Sequence, residues 1–316
     1  MKLTRKLVSL LMALTMLIAC TPAVADEVYE VGILQLVQHV ALDAATQGFK
    51  DALIAKLGDK VVFDEQNASG DTANCTIIAT DFAANEVDLI MANATPALQA
   101  AMNATGDIPI LGTSVTDYAT ALDASDWTGT TGINVSGTSD LAPLDGQAQM
   151  IQELFPEAKT VALLYCSAEP NSVYQINVIK GHLETMGYTC KEYSFADSND
   201  VAMVTEQATE CDVIYIPTDN TAAAYTETIA NGVIPAGKPV VAGEEGICKG
   251  CGVATLTISY YDIGYATGEM AYEILVNGAD IASMEIQSAP QFTKKYNAEN
   301  CATLNITVPE GYEAIE

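Results

Sequence analysis

The chain has 316 residues, 49% apolar and 17% charged, with 13 Lys+Arg against 41 Asp+Glu for a formal charge of −28. That length supports two domains with separate cores, and that composition belongs to a folded protein, not a disordered one. So acidic a surface repels phosphate backbones and anionic lipid, which argues against nucleic-acid binding; its plainer consequence is solubility.

Lys2, Arg5 and Lys6 precede an apolar run from Leu7 to Ala19, the pattern of a signal peptide over residues 1–19. The run is shorter than the ~20 residues that span a bilayer comfortably. Leu17-Ile18-Ala19-Cys20 has the form of a bacterial lipobox, with Ile18 where a small residue is usual. Cys20 is therefore expected to carry lipid and residues 20–27 to link anchor to fold. Ala23-Val24-Ala25 offers a competing cleavage site that would leave a soluble periplasmic protein. Three basic and no acidic residues precede Cys20, so the mature chain would carry 10 against 41, or −31.

Val28–Leu36 reads as a buried strand, Ala44–Leu57 as an amphipathic helix through Ala45, Phe49, Leu53 and Leu57, and Val61–Phe63 as the next strand. A helix near Cys75–Asn85, a strand at Val87–Ala92, a helix opening at Thr95-Pro96 and a strand at Ile108–Leu111 follow. After Gly132–Gly137 the order repeats. Strands at Thr160–Cys166, Tyr188–Phe195, Cys211–Ile216 and Pro239–Ala242 alternate with helices at Val173–Met186, Val201–Glu210 and Ala222–Asn231. Val31-Gly-Ile-Leu matches Val161-Ala-Leu-Leu, and Val87-Asp-Leu-Ile matches Cys211-Asp-Val-Ile, a duplication with a period of roughly 125–130 residues. Alternating helices and buried strands imply an α/β fold with parallel sheets, and the duplication implies two similar lobes. A helix over Tyr261–Val276, an extended Met284–Ala289 and an irregular tail complete the chain.

In such sheets ligands bind beyond the carboxyl ends of the strands, beside helix N-termini. Those ends carry Gln35, Gln38, His39, Asn93, Thr95, Thr113 and Ser114 in the first half, and Ser167, Glu169, Asn171, Ser172, Thr218, Asp219, Asn220, Glu244 and Glu245 in the second. Hydroxyls, amides and carboxylates without Lys or Arg suit a zwitterion and disfavour a phosphorylated ligand. Each group also has a purely structural use. Asp219 and Asn220 are good helix caps, Thr95-Pro96 is an ordinary first turn, Glu244-Glu245 fits a solvated turn, and His39 fits a structural role. No P-loop, G-x-G-x-x-G or G-x-S-x-G is present, and two histidines leave little for a triad or zinc site, so neither catalysis, metal nor cofactor is expected. Cys248-Lys-Gly-Cys251 is expected in a loop, outside a thioredoxin context, and most of the seven cysteines after Cys20 are expected to be unpaired.

Val31-Gly-Ile-Leu-Gln-Leu, Ala94-Thr-Pro-Ala, Gly137-Thr-Ser-Asp140, Asn171-Ser-Val-Tyr-Gln175, Pro217-Thr-Asp-Asn-Thr221 and Ala242-Gly-Glu-Glu-Gly246 resemble the ABC-transporter substrate-binding lipoproteins of the tryptophan/tyrosine-type family. The resemblance implies a type I periplasmic-binding fold with three interlobe crossovers. It implies lobes of residues 28–136 plus 258–284 and 137–257 plus 285–316. It also implies a monomeric receptor, not an enzyme, anchored at the outer face of the membrane, which closes over an aromatic amino acid and hands it to an ABC permease. Another solute, or a sensory subunit, would share these features. Carried over by position, Asp219 and Glu245 would meet the ammonium and Thr95, Ser139 and Ser172 the carboxylate. Gln35, His39, Asn171 and Asn220 would line the cleft, and Tyr118, Trp127, Tyr174, Tyr260 or Tyr261 would form its aromatic wall.

Overall fold

The computed structural model describes residues 28–125 and 127–315, so the expected signal peptide and Cys20 lie outside the described residues. The first half runs β1 (Tyr29–Gln35), α1 (Val40–Leu57), β2 (Val61–Asn67), α2 (Thr72–Ala84), β3 (Leu89–Asn93), α3 (Thr95–Ala104), β4 (Ile110–Val115), the single turn α4 (Tyr118–Ala121) and β5 (Val135–Ser139). The second half repeats the pattern with α5 (Leu144–Leu154), β6 (Thr160–Cys166), α6 (Pro170–Thr185), β7 (Thr189–Phe195), α7 (Val201–Ala208), β8 (Val213–Ile216), α8 (Asn220–Ala224), α9 (Thr226–Val233), β9 (Val240–Ala242), α10 (Glu245–Cys251) and β10 (Ala254–Thr257). Then come α11 (Tyr260–Leu275), β11 (Gln287–Ser288), β12 (Thr293–Tyr296), α12 (Ala298–Thr303) and β13 (Glu313–Ala314).

The strands form two sheets, ordered β11-β5-β4-β3-β1-β2 and β13-β12-β10-β9-β8-β6-β7. Pairing is parallel except between β10 and β12. Helices cover both faces, which is why β8 and β3 up to Ala92 read as apolar runs, and both strands are buried at every position. Both lobes therefore carry the same core order, and each reverses direction between its first and third strands, at β1/β3 and β6/β8.

Three crossings join the lobes, from β5 to α5, from β10 to α11 and from β11 to β12. They fall slightly later than residues 136/137 and 284/285, because β5 runs to Ser139 and β11 pairs with Thr138 and Ser139. β5, Val-Ser-Gly-Thr-Ser, has one aliphatic residue, so hydrophobicity does not mark its end. Gly137 permits the pairing. Its φ is 144°, and a Cβ there would meet the Gly112 carbonyl oxygen at 2.0 Å.

α1 and α11 pack against each other through glycine. A Cβ on Gly264 would lie 2.0 Å from the Ala45 carbonyl oxygen, and one on Gly48 2.1 Å from that of Tyr261. Backbone meets backbone at this seam, which fixes the start of α11, and with it the second crossing, to the first lobe.

Two expectations change. Cys248 and Cys251 sit on α10, a helix whose N-terminus Glu244 caps, and are buried and unpaired. The tail is not irregular throughout, since β12 and β13 extend the second sheet and Cys301 on α12 packs into its core. All seven described cysteines are free. Among the described residues no helix is long and apolar enough to cross a membrane, and no group of three His, Cys, Asp or Glu could hold a metal ion.

Candidate functional site: the interlobe cleft

The two direction reversals face each other. Leu36 and Val37 after β1, Ser69 and Gly70 after β2, and Pro96 on α3 line one side of a cavity of about 390 Å³. Ala168 and Glu169 after β6, Ala196–Ser198 after β7, and Asn220, Thr221, Ala224 and Tyr225 after β8 line the other. No Lys or Arg lines it. Facing strand ends at a topological switch point are where an open α/β sheet binds ligand, and this volume lies within the ordinary range for small solutes.

At the strand ends of both lobes, polar side chains are buried without partners. Asn93 Oδ1 and Thr95 Oγ1 at the end of β3, Ser114 Oγ on β4, Asp140 Oδ1 just beyond β5 and Asn171 Oδ1 on α6 make no hydrogen bond. Leaving such an atom buried and unpaired costs on the order of 1–3 kcal/mol, so Thr95, next to the lining Pro96, and Asn171, bonded to the lining Glu169, mark this cleft as a place built to be filled. The backbone is strained at the same strand ends. Ala94 has φ 93° and ψ 156°, a region that glycine favours, and Ser114 has φ 55°. Ala94 is fully buried and its N–H donates to Thr113 O, so neighbouring strands hold it there.

The remaining acidic groups serve the scaffold. Asp219 caps α8 through Ala222 N at 2.8 Å and accepts the Cys166 N–H at 2.6 Å. Burial first, then the nearby Glu169 carboxylate, pushes its carboxyl above the ordinary range. Glu169 reaches the same helix from 51 residues upstream. Its Oε2 accepts from Asn220 N and Nδ2, and its Oε1 from Thr221 N and Oγ1. Glu244 accepts the Gly246 and Ile247 N–H groups of α10, and burial raises it to about 7. Glu245 turns to Lys295 Nζ at 2.7 Å, on the rim of a separate hinge-side cavity of about 290 Å³.

The other predicted residues divide between cleft and scaffold. Asn171 donates to Glu169, Ser172 and Thr218 O, and Ser172 is fully buried beside it. His39 Nε2 meets Asn220 Oδ1 at 3.3 Å, a contact between lobes, and burial lowers its pKa. Gln35 is consumed within its own lobe by Val37 O, Asp43 and Thr46. Ser139 Oγ donates to Thr116 O and accepts the Leu141 N–H. Of the aromatic candidates, Tyr118 is buried and stacks on Trp127, Tyr261 bonds Asp51 at the surface, and Tyr260 donates to Asp140 Oδ2 at 2.9 Å. Tyr174 lines a different surface recess with Thr120 and Pro170. Tyr225, passed over in the sequence, lines the main cavity.

Two Rossmann-like lobes, three crossings and a polar cleft between facing strand ends define a solute receptor with the type I periplasmic-binding fold. Residues 30–314 match the ABC transporter substrate binding protein family, and the chain belongs to it. It is 36% identical over 249 residues to a tyrosine-binding protein of Clostridioides difficile, covering 78% of this chain and 72% of that one. It superposes on an ABC domain from Streptococcus pneumoniae in complex with L-Trp with a TM-score of 0.86, at 31% identity over 92% of this chain and 100% of that one. The ligand-free, open structure of a substrate-binding protein with adhesive properties from Clostridium difficile gives 0.69, at 35% identity over 92% and 99%.

Proposed function

We propose that this chain is an extracytoplasmic receptor for a free aromatic amino acid (Trp, Tyr or Phe), which it passes to an ABC permease by closure of its two lobes. The observation that carries this reading is the cavity between facing switch points, free of Lys and Arg, with the unpartnered Thr95 hydroxyl next to its Pro96 and the unpartnered Asn171 amide oxygen next to its Glu169. A zwitterion needs hydroxyls and N–H groups for its carboxylate and acidic oxygens for its ammonium, and Leu36, Val37, Pro96 and Tyr225 offer apolar surface to a ring. Relatives that bind tyrosine and L-Trp support the side-chain class.

In this reading Thr95, at the N-terminus of α3, and Ser172 take the carboxylate, and Asn171, Asn220 and His39 line the closed cleft. Gln35 and Ser139 hold the walls, since their polar atoms are engaged within the first lobe. Asp219 fixes α8, and Glu245, paired with Lys295, is the weakest candidate for direct contact. We place the receptor at the membrane through lipid on Cys20; a Cys20→Ser variant remaining in the membrane fraction would remove that anchor.

A thermal-shift screen with the twenty amino acids tests the solute class. A solute at 100 times its dissociation constant adds about 2.7 kcal/mol of stability, a rise of several degrees for a protein of this size. Aromatic amino acids are expected to produce it and acidic ones to leave the midpoint unchanged. No shift with any aromatic amino acid removes the proposal.

A further inference from the structure

We infer that Asp140, on the crossing between β5 and α5, is the counter-ion for the ligand's ammonium group; the assignment rests on the amino-acid reading above. Four carboxylates are buried among the described residues: Asp140, Glu169, Asp219 and Glu244. Three have donors on both oxygens, all supplied by the second lobe to which they belong. Asp219 has Ala222 N and Cys166 N, Glu169 has the start of α8, and Glu244 has Gly246 N and Ile247 N. Asp140 differs. It is 3% exposed, its Oδ2 takes the Tyr260 hydroxyl, the nearby Thr116 hydroxyl also favours its charged form, and its Oδ1 makes no hydrogen bond. A buried carboxylate oxygen without a donor is costly, and an ammonium group, with three donors and a compensating charge, is the partner that chemistry selects.

The surroundings favour a cation. The ionisable groups that act on Asp140 and Tyr260 are Glu244 and Tyr118, both acidic in kind, and no Lys or Arg is among them. Polar groups continue along the carboxyl edge of the first sheet. Asp140 follows β5, Ser114 lies on β4, Asn93 and Thr95 stand at β3, and the cavity opens beyond β1 and β2. Asp140 and Tyr260 sit on two of the three crossings, so an ammonium held there couples solute recognition to the hinge.

The test measures binding calorimetrically with the full mature chain, using L-tryptophan, L-tyrosine and their des-amino analogues 3-(indol-3-yl)propionate and 3-(4-hydroxyphenyl)propionate. Asp140→Asn, which keeps shape and loses charge, is expected to weaken the amino acid by on the order of 100-fold and the des-amino acid by less than about 3-fold. Asp219→Asn is expected to weaken both alike, as loss of a cap does. Amino-acid affinity unchanged in Asp140→Asn, or an equal loss for both ligands, overturns the assignment. If that variant does not fold, a crystal structure of the wild-type complex decides. The ammonium nitrogen within about 3.2 Å of Asp140 Oδ1 supports the assignment, and its seating on Asp219 or Glu245 overturns it. A wild type that binds neither amino acid fails earlier, at the proposed function.

Discussion

Asp140, Asp219 and Glu244 all titrate above the ordinary carboxylate range, and desolvation is the first cause for each. A carboxyl raised in the folded state holds a proton that the unfolded chain has already released. Its stabilising effect is complete below the unfolded value and is lost as pH rises through the folded one. For Glu244 that window runs from 4.5 to about 7. His39, lowered by burial, acts in the opposite sense, one group against three. The ligand-free protein is therefore expected to melt highest near pH 5 and lower at pH 8, with a slope of at most about 1.4 kcal/mol per pH unit for each carboxyl. A midpoint that rises steadily from pH 5 to pH 8 would contradict it. Residue identity told part of this in advance. The cap role of Asp219 was legible because strand end and helix start are local signals. Asp140 was not, because its partner Tyr260 lies 120 residues away. The bonds from Glu169 to Asn220 likewise come from folding and not from spacing.

At the scale of elements, α11 shows what an apolar pattern conceals. Ile263, Ala266, Met270 and Ile274 marked a helix in the sequence, but the face in contact with α1 is built on Gly264 and Gly268. Hydrophobic periodicity reports which side is buried and not how closely another backbone approaches. Gly264→Ala must displace a carbonyl oxygen rather than a flexible side chain, so it is expected to cost about 1–3 kcal/mol by overpacking. Gly278→Ala is a poor control because its φ is 64°. Gly181→Ala, with open space around it, is the better one and is expected to be neutral or slightly stabilising. Chemical denaturation measures both, and equal stability of the two variants would dismiss the seam. The same limit explains α10, where Cys-Lys-Gly-Cys looked like a loop. The Glu244 cap and burial of both thiols make a short helix of it.

For the whole molecule, the duplication made the architecture readable, since two copies of one strand order can only form two similar lobes. Their relative placement was not readable, because it depends on contacts such as that of His39 with Asn220. His39 precedes α1 without capping it by its side chain, so His39→Ala tests the contact with little collateral change. One hydrogen bond is worth about 0.5–1.5 kcal/mol, which predicts a loss of roughly 2- to 10-fold in solute affinity. Small-angle scattering should show a larger radius of gyration for the variant without solute and equal radii with saturating solute. Identical radii in both conditions would separate His39 from closure.

The glycine seam between α1 and α11 bears on how cargo leaves. Because Tyr260 opens α11, it stays with the first lobe when the lobes part, and Asp140 is tethered to it through the hydroxyl. Thr95 and Ser114 belong to that lobe as well. With the ammonium held on Asp140 as proposed, the second lobe would be the departing half, and the solute would remain seated on the first until transfer. Unloading would run in a fixed order, with the apolar end uncovered first and the charged head surrendered last.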